Sequence, residues 1–147
     1  MDPALQEVVD AKAIADVQVL YTRLIDQHEF DQLDRVFTPD CTADYQGIPQ
    51  LEGVEAISKI VASAVGRLDS SQHLCANHWA DIDGDTAKAG CYLQAQHFMA
   101  GKADGELYMV AGTYTDDFVR TPEGWRISHR QLRQSWLDGN PRILGGI

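Results

Sequence analysis

The chain of 147 residues lacks the features that mark several large classes of protein. Its three cysteines, Cys41, Cys75 and Cys91, are odd in number and form no CxxC pair, which predicts neither a disulfide framework nor a zinc knuckle and fits a reducing compartment. No window approaches about 20 apolar residues, and the N-terminal stretch is acidic where a secretory signal is basic. We therefore expect a cytoplasmic protein with no membrane partner.

Positive charge is also scarce, and the usual cofactor motifs are missing. Twelve Lys and Arg residues face 22 Asp and Glu residues, which gives a net charge of -10. Such a surface repels phosphate backbones, so we expect no nucleic acid partner. The chain has no GxGxxG or Walker motif, and its histidines and cysteines do not follow the spacing of a zinc site. The sequence thus predicts no cofactor and no metal.

What is present describes an ordinary globular protein that begins with helices. Hydrophobic residues make up 44% of the chain, enough to bury one core, and the length predicts a single domain over 1–147. Apolar residues at three- and four-residue spacing predict amphipathic helices, and CTADY with the glycine and proline after it predicts a short strand. The predicted helices cover 9–28, 30–37 and 54–65, the last with a left-handed cap at Gly66, and the short strand covers 41–45.

The second half of the chain is predicted to be a meander of long strands. Turn signals such as Asp83-Gly84 separate strands that are longer than the usual five or six residues and must therefore twist and bend. Helices followed by such a meander predict an α+β fold in which the helices close one face of a curved sheet. Tyr108, Tyr114 and Phe118 share one face, so we expect a homodimer or higher homo-oligomer that covers it. The predicted strands cover 72–82, 86–99, 106–120 and 125–137.

The stretch SSQHLCANHW, 70–79, carries two histidines on one predicted strand. Because successive side chains on a strand point to opposite faces, only one of His73 and His78 should face a cavity, and the alternation does not decide which one. His97, on the next strand, is the polar member of an otherwise apolar row. Such a histidine is either buried against a backbone or hydroxyl partner or in contact with a ligand.

The order of elements and three stretches resemble the SnoaL-like branch of the nuclear transport factor 2-like superfamily. The matching stretches are LYTRLIDQHEFDQLDRVFTPDCTADYQG, SQHLCANHWADIDGDTA, and GTYTDDFVRTPEGWRISHR with WLDGN. The resemblance implies a cone-shaped α+β barrel, with N-terminal helices packed on a strongly curved and mainly antiparallel sheet. The same superfamily includes scytalone dehydratase, ketosteroid isomerase, polyketide cyclases and proteins without catalysis, so the fold alone does not define the reaction.

The resemblance also implies roles for individual residues. It identifies His73 as the base, places Tyr21 and Asp26 in the pocket, and makes His97 a substrate contact. The helical wheel instead puts Asp26 on the solvent side, so its placement in the pocket requires the last turn of the helix to unwind. A carboxylate on the second nitrogen of a histidine base fixes its tautomer. Tyr21, together with Tyr45, would then bind a substrate oxygen, with an ordinary strand tyrosine as the alternative for Tyr45.

Three arginines on the last strand remain undecided at this stage. Arg126, Arg130 and Arg133 could point to either face, and a solvated basic face is the default for such residues. The sequence and the resemblance together predict a cofactor-independent enzyme for a small hydrophobic molecule, in which a His73 and Asp26 dyad drives dehydration, isomerisation or cyclisation. The alternative is a non-catalytic module of the same fold that binds a small ligand or another protein.

Overall fold

The computed structural model describes residues 1–145, in which helices precede a curved sheet. The first helix begins at Pro3, six residues earlier than predicted, because the Asp2 carboxylate accepts hydrogen bonds from the backbone nitrogens of Ala4 and Leu5 and caps it. The helices are α1 (Pro3–Asp26) and α2 (Val54–Val65), with 3-10 turns at Phe30–Arg35 and Pro141–Ile143. The strands are β1 (Phe37–Tyr45), β2 (Leu51–Glu52), β3 (Ser70–Asp83), β4 (Thr86–Phe98), β5 (Leu107–Thr121) and β6 (Gly124–Gly139).

The six strands form one sheet in the order β2-β1-β6-β5-β4-β3. The pair formed by β1 and β6 is parallel, and the other neighbours are antiparallel. Helix α1 packs against β3 and β6, and α2 packs against β1. The expected architecture, helices closing the inner face of a mainly antiparallel sheet in an α+β fold, is therefore confirmed. None of the helices within residues 1–145 has the length and apolar character needed to cross a membrane.

The buried stripe of α1 is offset by about one residue from the stripe that hydrophobicity predicts. Ile14, Tyr21 and Ile25 are buried as expected of a core face, but the same stripe includes the polar Asp10 and Gln18. Hydrophobic periodicity cannot register buried polar residues. This offset turns the helix so that its last residue, Asp26, leans toward β3 and not into solvent.

A bulge in β3 overturns the strict alternation predicted for SSQHLCANHW. Asn77 adopts a positive φ of 55°, and the register with β4 shifts between Ala76 and Trp79. At this point two residues of β3 lie opposite one residue of β4. Every side chain of β3 after the bulge therefore points to the face opposite to the one that strict alternation predicts. His73 and His78 consequently both point inward, while Trp79 is partly exposed.

Other predicted boundaries also change. The second helix is a 3-10 turn that ends at Arg35, and β1 begins at Phe37, four residues before the predicted strand. Gly66 does close α2, but its φ of -65° is right-handed, so the predicted left-handed cap is wrong. The amide of Gly66 continues the helical pattern by donating to the carbonyl of Ala62, and no left-handed residue is needed.

The aromatic face of β5 lies inside the cone. Tyr108, Tyr114 and Phe118 are each less than 10% exposed within the single chain, so they cannot form the surface that a second copy would cover. The outer face of the same sheet instead exposes Tyr92 and Trp136, 60% and 49% accessible. The reason for the misassignment is that both faces of β5 carry apolar residues, and alternation alone does not say which face is inside.

Candidate active site

A cavity of about 130 Å³ lies between the helices and the concave face of the sheet. Its walls are mostly aliphatic, with Ile25 from α1, Val61 from α2 and Leu93 from β4 among the lining residues. Four of the five residues predicted for the site line this one cavity: Tyr21, Tyr45, His73 and His97. The fifth, Asp26, lies directly behind His73.

Asp26 is held against the start of β3 by three hydrogen bonds. One carboxylate oxygen accepts from His73 Nδ1 at 2.6 Å and from Ser71 Oγ at 2.8 Å, and the other accepts from the backbone nitrogen of His73 at 2.9 Å. Burial alone would raise the pKa of Asp26, but these donors outweigh burial and hold the pKa below its ordinary value. The residue is therefore an anion at neutral pH, without the helix unwinding that the wheel required.

The carboxylate fixes which nitrogen of His73 carries the proton in the neutral ring. An ionised carboxylate can only accept, so Nδ1 must be the donor and Nε2 must hold a lone pair. Nε2 has no hydrogen-bond partner among residues 1–145, and the ring lines the cavity. The arrangement can accept a proton at Nε2 and stabilise the resulting cation through Asp26.

His97 lies beside His73 on the same wall, with ring centroids 5.6 Å apart and nearly perpendicular planes. The ring is 4% exposed, and its Nδ1 contacts the carbonyl oxygen of Tyr108 at 2.9 Å. Burial lowers the pKa of His97 to about 4, although the Tyr108 carbonyl opposes this shift. His97 is thus a neutral imidazole near pH 7. The ring is buried against a backbone partner, as the first of the two predictions states, and it also lines the cavity. Its contact with a ligand stays a prediction.

The two tyrosines meet at the cavity wall. Tyr21 Oη and Tyr45 Oη are 3.1 Å apart, so one hydroxyl donates to the other and one hydrogen remains for a ligand. Burial raises the pKa of both tyrosines, and the Arg130 guanidinium opposes that shift. Both hydroxyl groups stay protonated at neutral pH and can act as donors.

Arg130 corrects the default assignment of the last-strand arginines to solvent. It is fully buried beneath the cavity, where its guanidinium donates to Asp116 through Nε at 2.7 Å and Nη2 at 2.8 Å. The guanidinium carbon lies 3.8 Å from the ring centre of Tyr114 and 4.6 Å from that of Tyr21, so two aromatic faces stabilise the cation. Arg130 therefore fixes the ring of Tyr21 from behind.

Sequence reasoning missed the polar chain that continues from this ion pair. Asp116 also accepts from Gln18 Nε2 at 3.0 Å, and Gln18 Oε1 contacts His78 Nδ1 at 2.7 Å. The amide oxygen can only accept, so His78 Nδ1 carries a hydrogen. The available signal was weak: Asp116 sits between apolar neighbours at alternate positions of β5, and Gln18 lies four residues after Ile14 on α1.

Within residues 1–145, no three His, Cys, Asp or Glu side chains come together in a way that could hold a metal ion. Cys41 and Cys91 do not resemble activated nucleophiles, whereas a hydrogen bond with Cys91 lowers the pKa of Cys75. Burial raises the pKa of Cys41 to about 11, and the neighbouring Cys75, together with burial, raises the pKa of Cys91. A thiol of raised pKa is protonated at neutral pH and unreactive.

Comparison with known proteins defines the class of protein. Residues 6–131 match the SnoaL-like domain family. A protein of Mycobacterium tuberculosis, itself uncharacterized, is 36% identical over 129 residues, which are 86% of each chain. This chain therefore belongs to the SnoaL-like domain family of the nuclear transport factor 2-like superfamily, as the sequence motifs predicted.

Solved structures share the fold over nearly the whole chain. A protein from Kribbella flavida superposes with a TM-score of 0.85 and 26% identity, covering 93% of this chain and 97% of that one. A scytalone dehydratase-like protein of Novosphingobium aromaticivorans gives 0.82 and 20% identity, with 91% and 89% coverage. A hexachlorocyclohexane dehydrochlorinase from Novosphingobium barchaimii gives 0.80 and 17%, with 93% and 94% coverage. At these identities the last two structures show a common fold and no more.

Proposed function

We propose that this protein is a cofactor-independent enzyme that removes a proton from a small hydrophobic substrate, with His73 as the base. The observation that carries the proposal is the contact between Asp26 and His73 Nδ1, which leaves Nε2 as a free lone pair on the wall of an apolar cavity. A base oriented in this way is the arrangement that general base catalysis requires. The alternative, a module that only binds a ligand, gives no reason for the three hydrogen bonds that hold Asp26.

The roles of the other side chains follow from their chemistry. His73 Nε2 would take a proton from the carbon next to a carbonyl group, and Asp26 would stabilise the imidazolium that forms. The tyrosine pair offers one O–H toward the carbonyl oxygen, where negative charge develops as the proton leaves. Arg130 supports this step only indirectly, because it contacts the ring of Tyr21 and does not line the cavity.

The size of the cavity limits the substrate class. An engineered cavity of about 150 Å³ in another protein accepts benzene, and this cavity of about 130 Å³ is close to that size. A substrate built on one small ring is therefore the best fit. Two structural relatives carry names of elimination enzymes, a dehydratase and a dehydrochlorinase. Dehydration, isomerisation and cyclisation can all begin with the same proton removal, so the proposal covers all three.

The proposal is tested by an assay that is common to those reactions. Hydroxylated and unsaturated cyclic ketones are incubated with the protein in deuterium oxide, and exchange at the carbon next to the carbonyl is followed by NMR. His73→Asn keeps a donor toward Asp26 and removes Nε2, so the exchange rate should fall by about 10²–10⁴. His28→Asn is the matched control, because His28 is exposed and its φ of 57° suits asparagine.

Two outcomes of this assay would overturn the enzyme proposal. One is that no ketone in the panel exchanges faster with the wild-type protein than with His73→Asn. The other is that His28→Asn lowers the rate as much as His73→Asn does. If the same ketones shift NMR signals of the cavity residues without exchange, the non-catalytic ligand-binding module replaces the enzyme.

A further inference from the structure

Cys75 and Cys91 are free thiols on the inner face of two neighbouring strands. Cys75 lies on β3 directly opposite Leu93 of β4. Cys91 is two residues from Leu93 on the same face of β4, because side chains two apart on a strand point the same way. The two cysteines are therefore diagonal neighbours across the strand pair. Neither of them lines the cavity that the proposed function uses.

A hydrogen bond between the two thiols makes them chemically unequal. It lowers the pKa of Cys75 against the opposing effect of burial, and the Arg130 guanidinium acts in the same direction as the hydrogen bond. The same hydrogen bond, together with burial, raises the pKa of Cys91. Cys91 is 1% exposed, whereas Cys75 is only half-buried. The pair therefore combines a more exposed sulfur that ionises readily with a buried sulfur that keeps its proton.

We propose that Cys75 and Cys91 form a redox-sensitive pair, in which hydrogen peroxide oxidises Cys75 and Cys91 then closes a reversible disulfide between β3 and β4. This inference is independent of the proposed function, since neither sulfur takes part in the proton removal by His73. The thiolate is the form of cysteine that peroxide oxidises, and redox-sensing cysteines often lie next to a second, resolving cysteine. In a reducing compartment a disulfide of this kind is transient.

Each step balances with hydrogen peroxide as the only co-reactant. The Cys75 thiolate attacks one oxygen of the peroxide, the O–O bond breaks, and the departing hydroxide takes up a proton to leave as water. Cys75 is then a sulfenic acid. The Cys91 sulfur attacks the Cys75 sulfur, the S–S bond forms, the S–O bond breaks, and the hydroxide leaves with the Cys91 proton as a second water. The two thiols lose two electrons in total, and one peroxide is reduced to two waters.

Oxidation of the first sulfur also prepares the second. The hydrogen bond and the negative charge of Cys75 both contribute to the raised pKa of Cys91. A sulfenic acid carries no such charge, so Cys91 loses its proton more easily once Cys75 has been oxidised. Cys91 is thus unreactive in the reduced protein and becomes the resolving thiol only after the first step.

The position of the pair predicts a disulfide that is easily reduced again. Diagonal neighbours across two strands have Cα atoms about 7–8 Å apart, whereas relaxed disulfides join Cα atoms about 4.4–6.8 Å apart. Closing the bond therefore requires backbone movement, and the register shift of β3 begins at Ala76, directly after Cys75. Strained disulfides are reduced more readily than structural ones, which is the property that a reversible switch requires.

Thiol counting and peptide mapping of the whole chain test the inference. The reduced protein is treated with a small excess of hydrogen peroxide near pH 7, blocked with N-ethylmaleimide and analysed by mass spectrometry. The wild-type protein should lose two of its three thiols to one intrachain bond between Cys75 and Cys91, and reduced glutathione should restore both. Cys41→Ala is the matched control and should form the same bond, because Cys41 lies on β1, which pairs with neither β3 nor β4.

Two variants at position 91 separate hydrogen bonding from disulfide formation. Cys91→Ser keeps a hydroxyl that can donate to the Cys75 sulfur but cannot form the disulfide. Dimedone, which traps sulfenic acids, should therefore label Cys75 in this variant. Cys91→Ala removes the donor as well, so the rate at which iodoacetamide alkylates Cys75 near pH 7 should fall by about tenfold relative to Cys91→Ser.

Several results would overturn the inference, and the first of them needs no variant. One is a wild-type protein that keeps all three thiols in peroxide, forms a bond that includes Cys41, or forms bonds only between chains. Another is a disulfide between Cys75 and Cys91 that reduced glutathione fails to open, since that bond would be structural. Equal alkylation rates in Cys91→Ser and Cys91→Ala, or no dimedone label on Cys75 in Cys91→Ser, would contradict the activation of Cys75 by its neighbour.

Discussion

At the scale of single residues, a backbone or carboxylate oxygen sets the chemistry of each cavity histidine. Asp26 places the hydrogen of His73 on Nδ1, and the Tyr108 carbonyl does the same for His97. The two rings differ in what lies behind them, which is a carboxylate for His73 and a backbone carbonyl for His97. Burial lowers the pKa of His97. In the proposed function His73 would be the proton acceptor, whereas His97 is a neutral imidazole near pH 7.

The lowered pKa of His97 predicts a loss of stability in mild acid. The unfolded histidine binds a proton near pH 6.5 and the folded one only near pH 4, so between these values the unfolded state binds more protons. Stability should therefore be fully present above pH 6.5 and fall as the pH drops toward 4, by about 3 kcal/mol in total. The titratable groups that also act on the pKa of His97 are His73 and Asp26.

Urea unfolding between about pH 5.5 and 7 measures this effect above most of the range in which carboxylates titrate. His97→Asn should flatten the pH dependence of the unfolding free energy relative to the wild-type protein. His28→Asn, at an exposed position, should leave the wild-type dependence in place. A slope that is the same in all three proteins would show that His97 is free to protonate in the folded state.

At the scale of elements, the sequence predicted the order of helices and long strands but missed where buried polar residues and bulges redirect them. Turn residues such as Asp83-Gly84 mark strand ends through local chemistry, which a sequence records. Which face of α1 is buried depends on Gln18, whose hydrogen-bond partner Asp116 lies 98 residues away in the sequence. No local sequence pattern reveals that contact. Arg130 was unassigned because the sequence did not decide which face of the last strand lies inside. Asp26 and Tyr21 entered the prediction through family resemblance, not periodicity.

The bulge in β3 is the element-level feature that brings both of its histidines inside. Asn77 has a φ of 55°, which asparagine and glycine tolerate and a β-branched residue does not. Asn77→Val should therefore lower the unfolding free energy by about 1–3 kcal/mol, while Asn77→Gly should stay within about 1 kcal/mol of the wild-type protein.

Urea unfolding of these variants, with Ala76→Val as control, checks the prediction. Ala76 is exposed and lies on the regular part of β3, so valine there should change stability by no more than about 0.5 kcal/mol. Equal costs for valine at both positions would mean that β3 accommodates an ordinary strand residue at Asn77.

At the scale of the whole molecule, the homo-oligomer stays a prediction. The structure changes which surface would form the interface between its subunits. The aromatic face of β5 is used inside the cone, whereas Leu74, Tyr92 and Trp136 share the outer face of the sheet, on β3, β4 and β6, and are 57%, 60% and 49% exposed. Several exposed apolar side chains on one sheet face are typical of subunit interfaces. We expect a second copy of the chain to cover this outer patch.

Sedimentation at micromolar concentration should therefore give a dimer or larger assembly for the wild-type protein. Tyr92→Lys should shift it to the monomer by burying an unpaired charge at the interface. Val8→Lys adds the same charge on α1, at a residue that is 65% exposed, and should leave the assembly intact. A wild-type monomer, or equal dissociation by both lysines, would rule out the outer patch as an interface.

The catalytic account as a whole depends on His73 and Asp26 acting as one unit. The direct measurement is a double-mutant cycle on proton exchange in deuterium oxide, with His73→Asn, Asp26→Asn and the double variant, using whichever cyclic ketone exchanges fastest. Asp26→Asn should lose about 10²-fold or more in rate with ketone binding retained, and the double variant should be no slower than His73→Asn alone, because Asp26 acts only through the base. Losses that multiply in the double variant, or an Asp26→Asn protein with wild-type exchange, would contradict the account.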